Sequence, residues 1–368
     1  MNYVEVGLKN LSRIHGSPKL LNHFESKQHS QNGEDGMIAE ALDRLGILSP
    51  RFVEIGAGDG SENCTMALLL AGGEGVWLEI DSANISRAAA STVGLPIEIL
   101  NVRVSRDNIV EVLESSHAHH GFDLLVVDID GNDFHVIERI LQKWKPALVV
   151  CEYNSAFGPR KKWVMQYNDM HSWSRDDNYG ASLSAYQTLF KRFGYTLAAC
   201  DSSGVNAFWV RRESINLFRG PMRASEMCMS LIPGRQHRRQ GDHVVDQPLP
   251  KDDFDKIYLV NWTRKRFEGL GLQLVSVRVR NGSSCVINSF ENYPIHVGAL
   301  ESAGPEPTRL FLAESIAPGQ CGVASAVIPI GQELFRFAVV QESVRWGSPV
   351  RLRRLKASDR QPLIRSIC

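Results

Sequence analysis

The sequence predicts an α/β protein in two parts, a doubly wound sheet followed by a smaller all-β sandwich. Three observations carry this reading. From about residue 36 to residue 155, short apolar strands alternate with helix-like stretches, the pattern of parallel strands covered on both faces. Beyond about residue 255 the runs are short, β-rich and separated by Gly, Pro, Asn and Ser, the spacing of a sandwich. At 368 residues the chain also exceeds what one compact core usually takes, so two domains are the natural prior.

The elements follow in order. Residues 1–29 form a polar N-terminal arm with scattered Leu and Ile. Gly36 to Leu45 reads as a helix, RFVEIGAG as a strand rising into a glycine turn, and NCTMALLLAG as the helix after it. GVWLEID, LPIEILNVRV, FDLLVVDID and PALVVCEYN repeat the strand, with SANISRAAAST, DNIVEVLESSH and FHVIERILQKW as the helices between them. A long loop rich in aromatic and charged residues follows, FGPRKKWVMQYNDMHSWSRDDNYGA; ordered loops of this length are often functional. SLSAYQTLFKRFG is a helix, and YTLAACDSSGVNAFWVRRE is two strands around the turn Asp201 to Gly204, closing a domain over residues 30–214. Residues 215–254, with the basic cluster Arg235 to Arg239 and the acidic KDDFD, read as a connector, and residues 255–368 as the sandwich.

Composition excludes several classes. Apolar residues at 43% and charged residues at 22% are globular values. Forty-one basic residues balance 41 acidic ones, so no nucleic-acid partner is expected. The seven cysteines are widely spaced with no C-x-x-C pair, which speaks against a disulfide framework or a cysteine metal clip. The start lacks the apolar core of a secretory signal, and no run is long enough for a transmembrane segment. The expected location is cytoplasmic.

The most informative stretch is Val53 to Gly60, because Gly56, Gly58 and Gly60 permit a tight turn whose amides approach a ligand closely. Ser61 stands where a dinucleotide fingerprint places its third glycine, and no Gly-Lys-Ser/Thr phosphate loop exists, which lowers the NAD and ATP readings. Glu79 closes the next strand, where a carboxylate can accept from ribose hydroxyls.

Ser30-Gln31-Asn32-Gly33-Glu34-Asp35-Gly36, FVEIGAGDGSENCT, WLEID, LLVVDIDGNDF and VVCEYN together resemble a branch of the FkbM-like S-adenosylmethionine-dependent methyltransferases, over about residues 28–212. The resemblance implies a Rossmann-like methyltransferase sheet binding S-adenosylmethionine across the carboxyl ends of its strands, and most such proteins methylate oxygen. It places Glu54, Gly56, Gly58 and Asp59 around the methionine part, Glu79 on the ribose, and Asn101 with Val102 on the adenine side. The family's Asp-x-Glu-Gly appears here as Asp128-Ile129-Asp130-Gly131, a departure at the second carboxylate. Gln31, Glu34 and Asp35 are expected to reach the cofactor or acceptor, with Ser30 or Asn32 as a helix cap the alternative.

Asp128, Asp130 and Asp133 at one strand end, with Glu152 and Asn154 at the next, gather oxygen ligands where an acceptor would sit. Asp128, Glu152 and Asn154 could hold Mg²⁺, or one carboxylate could act as general base. Alternatively, Asp128 caps a helix or holds the cofactor's amino group. His135 is a candidate base and His171 a comparable one, whereas His117, His119 and His120 precede a strand and read as a solvated turn. Trp163, Tyr167, Trp173 and Tyr179 either stack on a sugar ring or cover the sheet edge. Asn154, Tyr179 and Ser182 are placed nearest the acceptor.

The C-terminal runs Arg309-Leu310, Ile316 to Gly319 and Phe337 to Trp346 resemble β-sandwich modules of bacterial polysaccharide-assembly proteins. That resemblance implies glycan contact, a glycan-assembly partner or a homo-oligomer. Tyr293 and His296 are candidates for sugar contact, and Trp346 for that role or a core position. The leading expectation is an O-methyltransferase acting on a sugar hydroxyl of a bacterial surface glycan or its precursor. The alternatives are methylation of a small natural product and a catalytically silent glycan-binding or scaffolding protein.

Overall fold

In a computed structural model, residues 19–174, 176–218, 222–228, 248–268, 271–287, 295–301, 308–312, 316–332, 334–341, 345–352 and 354 are described. The chain divides into two compact units. The first holds seven strands, β1 (Arg51–Ile55), β2 (Glu74–Glu79), β3 (Ile97–Asn101), β4 (Leu124–Val127), β5 (Leu148–Glu152), β6 (Tyr195–Cys200) and β7 (Asn206–Arg211). Its principal helices are α1 (Glu34–Arg44), α2 (Met66–Leu70), α3 (Ser82–Ser91), α4 (Ile109–Glu114), α5 (Asp133–Lys143) and α6 (Leu183–Arg192).

The sheet order is β3-β2-β1-β4-β5-β7-β6. The strands β3 to β5 across this order pair in parallel, while β7 is antiparallel to both β5 and β6. This is the doubly wound order 3-2-1-4-5-6 with one reversed strand inserted. The order changes direction between β1 and β4, and ligands in open α/β sheets bind at the carboxyl ends beside that switch point. Every β4 residue is buried, which explains why its sequence shows no polar alternation. In α5, Val136, Ile137, Ile140 and Leu141 supply the buried stripe.

Gly56 follows β1 with φ +86°, and a Cβ there would lie 1.8 Å from the Asp128 carbonyl oxygen. Backbone conformation and close approach both require glycine at the switch point.

Two expected boundaries fall inside packed segments. Leu20 and Leu21 are buried in the core of the first unit, and the Asn22 amide donates to the Cys200 carbonyl at 2.6 Å. Beyond Ser214, residues Ile215, Phe218, Ala224, Met227 and Cys228 belong to the same core. The basic cluster at 235–239 lies outside the described residues.

Among its described residues the second unit is all-β apart from the one-turn helix Lys251–Phe254. Strands β8 (Ile257–Phe267), β9 (Leu272–Asn281), β10 (Ile295–Glu301), β11 (Thr308–Leu312), β12 (Cys321–Pro329), β13 (Leu334–Gln341) and β14 (Arg345–Trp346) form one antiparallel ladder in the order β14-β13-β10-β11-β12-β9-β8. The ladder curls, because the Trp262 ring of β8 lies 5.5 Å from the Phe337 ring of β13, near its opposite edge. Val275, Val277 and Val279 of β9 point into the enclosed core with Val297, Leu310, Ala324 and Phe337. Among the described residues, no helix is long and apolar enough to cross a membrane.

Candidate active site

The carboxyl ends of β1 and β2 carry two buried carboxylates, each met by fixed donors. Glu54 accepts from the Cys64 amide at 2.9 Å and from the Thr65 hydroxyl. Burial nevertheless pushes its carboxyl up to about 7, with the Asp35 charge adding to the rise. Glu79 Oε2 accepts from the Gly58 amide at 2.8 Å, and Oε1 from the Ile80 and Asp81 amides, each at 2.8 Å. A carboxylate offers about four lone-pair directions, so about one is left on Glu79 for a ribose hydroxyl. Asn101 is exposed, and its amide donates to the Ile80 carbonyl at 2.9 Å, while the Val102 amide donates to the Glu79 carbonyl. Both therefore flank the end of β2.

Asp59 sits on the glycine loop. Hydrogen bonds from Ser61, and then from Arg87, lower its carboxyl to about 2; Arg87 Nε lies 3.0 Å away. Its carboxylate thus braces the loop toward α3.

The segment before α1 is built on Asp35. One of its oxygens accepts from the amides of Gln28, His29 and Ser30, all at 2.8 Å, and from the Ser30 hydroxyl. Its other oxygen is buried with no hydrogen-bond partner. Glu34 accepts from the Asn32 amide and, at 2.8 Å, from the Asn206 side chain at the start of β7. The N-cap of α1 is Gly33, not Asn32, though the Ser30 hydroxyl accepts from the first-turn amide of Asp35. Gln31 is exposed. The motif is thus a clamped turn whose carboxylates lie close enough to raise Glu54 and Asp128.

The ends of β4 and β5 differ. Oxygen atoms of Asp128, Asp130 and Glu152 lie within 4.8 Å of one another. Asp128 reaches solvent, yet the protein around it and the charges of Asp133, Asp130, Glu54 and Glu34 push its carboxyl well above the usual range. Desolvation and Asp133 also raise Asp130, against a lowering pull from His171. Asp130 has φ 50°, the only positive φ of a non-glycine among the described residues, and such backbone conformations cluster at functional sites. Asp133 is the buried brace of this turn, accepting from the Ile129 and Gly131 amides at 2.9 and 2.8 Å.

The cluster shares Asp128 and Glu152 with the expected metal set. An all-oxygen trio of Asp128, Asp130 and Glu152 has the donor chemistry of a hard cation. Asn154 is outside it: its amide donates to the Tyr179 carbonyl at 3.0 Å and accepts from the Ala156 amide. Ser182 is likewise committed, capping α6 and accepting from the Trp163 amide at 3.0 Å. Both residues thus fasten the long loop. Tyr179 is buried, with its ring 5.7 Å from that of Trp173.

The two candidate histidines separate. His135 Nε2 is 2.9 Å from the Met165 carbonyl, and its ring packs edge-on against Tyr167 at 5.3 Å. That imidazole ties the long loop to α5. His171 Nε2 lies 3.2 Å from the Asp130 carbonyl and covers Gly131, where a Cβ would meet its ring at 2.4 Å. Asn132 completes the attachment, exchanging two hydrogen bonds with the Asn168 backbone. Of the loop aromatics, Trp163 stacks on Phe157 at 4.2 Å and Tyr167 lies under the Arg106 guanidinium at 3.8 Å. His117, His119 and His120 form a single turn before β4, at the amino end of the sheet. Tyr293 and the Trp346 side chain lie outside the described residues, while His296 is buried with its ring 4.6 Å from Phe311.

Sequence reasoning missed Thr65, Trp77 and Asn206. Their partners stand 11, 12 and 172 positions away, and no local spacing announces such contacts.

Residues 44–181 match the family model described as Methyltransferase FkbM domain. That span carries the glycine turn, Glu79, Asp128 and Glu152. No curated protein sequence matches the chain. Similar solved structures include an S-adenosylmethionine-dependent methyltransferase from Clostridium acetobutylicum ATCC 824, 10% identical over 48% of this chain and 90% of that one, with TM-score 0.33. A ribosomal protein L11 methylase from Lactobacillus delbrueckii subsp. bulgaricus is 12% identical over 49% of this chain and 80% of that one, with TM-score 0.32. A TehB-like SAM-dependent methyltransferase from Corynebacterium glutamicum ATCC 13032 is 14% identical over 47% of this chain and 86% of that one, with TM-score 0.31. The architecture rests on the strand order itself rather than on these likenesses.

Proposed function

We propose that the protein is an S-adenosylmethionine-dependent O-methyltransferase whose acceptor is a sugar hydroxyl of a surface glycan or its precursor. The observation that carries this reading is the division of labour at the switch point. Carboxylates held by fixed donors lie at the ends of β1 and β2, and the trio Asp128, Asp130 and Glu152 at the ends of β4 and β5. The orphaned Asp35 oxygen and the remaining acceptor direction on Glu79 suit a ligand bearing an ammonium group and a ribose. Glu79, Asn101 and Val102 would hold the nucleoside part, and Glu54, Asp35 and the Gly56–Gly58 turn the amino-acid part.

When bound, S-adenosylmethionine supplies an electrophilic methyl group. The chain's own residues must align the acceptor oxygen and take its proton. Asp128 is suited to the second task, because its raised carboxyl titrates closer to neutrality than an ordinary aspartate. Asp130 and Glu152 would hold the acceptor's remaining hydroxyls. The sugar assignment draws on the polyhydroxyl character of this oxygen-lined rim and on the C-terminal resemblance. On this reading the β unit grips the glycan, with the His296 and Phe311 ring pair as its candidate contact.

The test is calorimetric titration of the full chain with S-adenosylmethionine and with NAD, followed by methyl-transfer assays on glycan precursors and small phenolic or alcoholic acceptors. Binding of S-adenosylmethionine alone and transfer to a sugar hydroxyl are expected. Transfer only to non-sugar acceptors would sink the glycan assignment, and no binding would sink the enzyme.

A further inference from the structure

A buried chain of hydrogen bonds runs from β2 to the candidate cofactor site. The Trp77 indole Nε1 donates to the Thr65 hydroxyl at 2.7 Å, and that hydroxyl donates to Glu54 Oε2. Trp77 and Thr65 are both 0% exposed and Glu54 is 3% exposed. The direction of the chain follows from its donors, since an indole N–H can only donate and a hydroxyl has a single proton. With Trp77 occupying the acceptor side of Thr65, the hydroxyl proton is committed to Glu54. The other Glu54 oxygen receives the Cys64 amide at 2.9 Å. Both oxygens therefore face donors, an arrangement that favours the carboxylate over the acid.

The surroundings push the other way. The groups that interact with Glu54 are Asp35 of α1, the Cys64 thiol, and Asp128 at the end of β4. Among the described residues, no Lys, Arg or His forms an ion pair with Glu54. A buried carboxylate among acids, met by donors on both oxygens, is favoured as the anion by a neighbouring cation.

We infer that Thr65, oriented by Trp77, is a positioning residue that keeps Glu54 anionic toward the cationic amino-acid part of the cofactor. This inference rests on the cofactor reading above. It makes cofactor affinity pH-dependent through a residue that touches no ligand. The Glu54 carboxyl, at about 7, loses its charge as pH falls through that value, and affinity for a cation is lost with it. Removing the Thr65 hydroxyl takes away a donor to the charged form and moves the loss to higher pH.

Titration with S-adenosylmethionine between about pH 5.5 and 8.5, on wild type, T65V and T65S, tests this. Wild-type affinity should rise with pH to a plateau. T65V should move the midpoint up by about one unit, leaving affinity about fivefold weaker at neutral pH, and T65S should restore the wild-type profile. 5′-Methylthioadenosine, which lacks the amino-acid part, should bind all three proteins equally at every pH. Should T65V fail to fold, W77F frees the Thr65 hydroxyl and is expected to shift the profile in the same direction. A mutant profile that superimposes on wild type, or equal weakening toward methylthioadenosine, would overturn the inference alone. Wild type that binds no S-adenosylmethionine would overturn the cofactor reading and this inference together.

Discussion

The two halves of the first sheet treat their carboxylates in opposite ways. At the ends of β1 and β2, Glu54 and Glu79 are buried and meet backbone amides or a hydroxyl. At the end of β4, Asp128 and Asp130 are exposed, and no hydrogen bond to either carboxylate is present among the described residues. Their neighbours are other acids. A carboxylate held by fixed donors is preorganised to hold something. One surrounded by like charges takes up a proton readily, which suits it to react. On the proposed reading, the same functional group would serve binding on one side of the switch point and proton transfer on the other.

The largest effect should come from the reactive half. Asp128→Asn and Glu152→Gln are each expected to lower turnover by about a hundredfold or more while changing S-adenosylmethionine affinity only a few-fold. Equal loss of turnover and affinity, measured by single-turnover kinetics and calorimetry, would erase the distinction between the halves. Next comes the holding half, where Glu79→Gln should weaken S-adenosylmethionine by about tenfold, the value of roughly one charged hydrogen bond. Turnover at saturating cofactor should stay close to wild type.

A third expectation concerns stability. Burial raises Glu54 and Asp201 to about 7 in the folded protein, above the ordinary carboxylate value. The folded state therefore binds these protons more tightly than the unfolded chain. That contribution is fully present below the unfolded values and is lost as pH rises through about 7. Thermal unfolding should show a higher midpoint at pH 5.5 than at pH 7.5, by an amount worth about 1–3 kcal/mol. Glu54→Gln and Asp201→Asn should each flatten the dependence, and a flat wild-type profile would contradict it. The smallest effect should follow chelation. EDTA is expected to leave methyl transfer unchanged if Asp128 is the base, whereas loss restored by Mg²⁺ would reassign the trio to a cation.

Much of the first unit was legible in the sequence because its signals are local. LLVV is apolar throughout, and RFVEI and LVVCE are apolar but for Arg51, Glu54 and Glu152, because strands buried on both faces need no alternating polar side; Gly56 is glycine because φ +86° and the Asp128 carbonyl exclude a side chain. The β8 strand was harder to read. Its burial alternates imperfectly across a register shift between Leu259 and Asn261, and at the edge of its sheet it leaves Tyr258 and Val260 exposed. In sequence, Asn154 was placed near the acceptor by its strand end and Ser182 by the end of the long loop. The folded chain uses both to cap and tether it.

By itself the sequence determined the alternation of strands and helices, the glycine turn, and the acidic residues at the strand ends. Each follows from periodicity or from the conformational limits of a residue type. Only the tertiary structure decided that Asp130 lies with Asp128 and Glu152, that His135 ties down a loop, and that Trp77 reaches Glu54 through Thr65. Those outcomes depend on distances between residues far apart in the chain, and close packing of the sheet and its loops sets such distances.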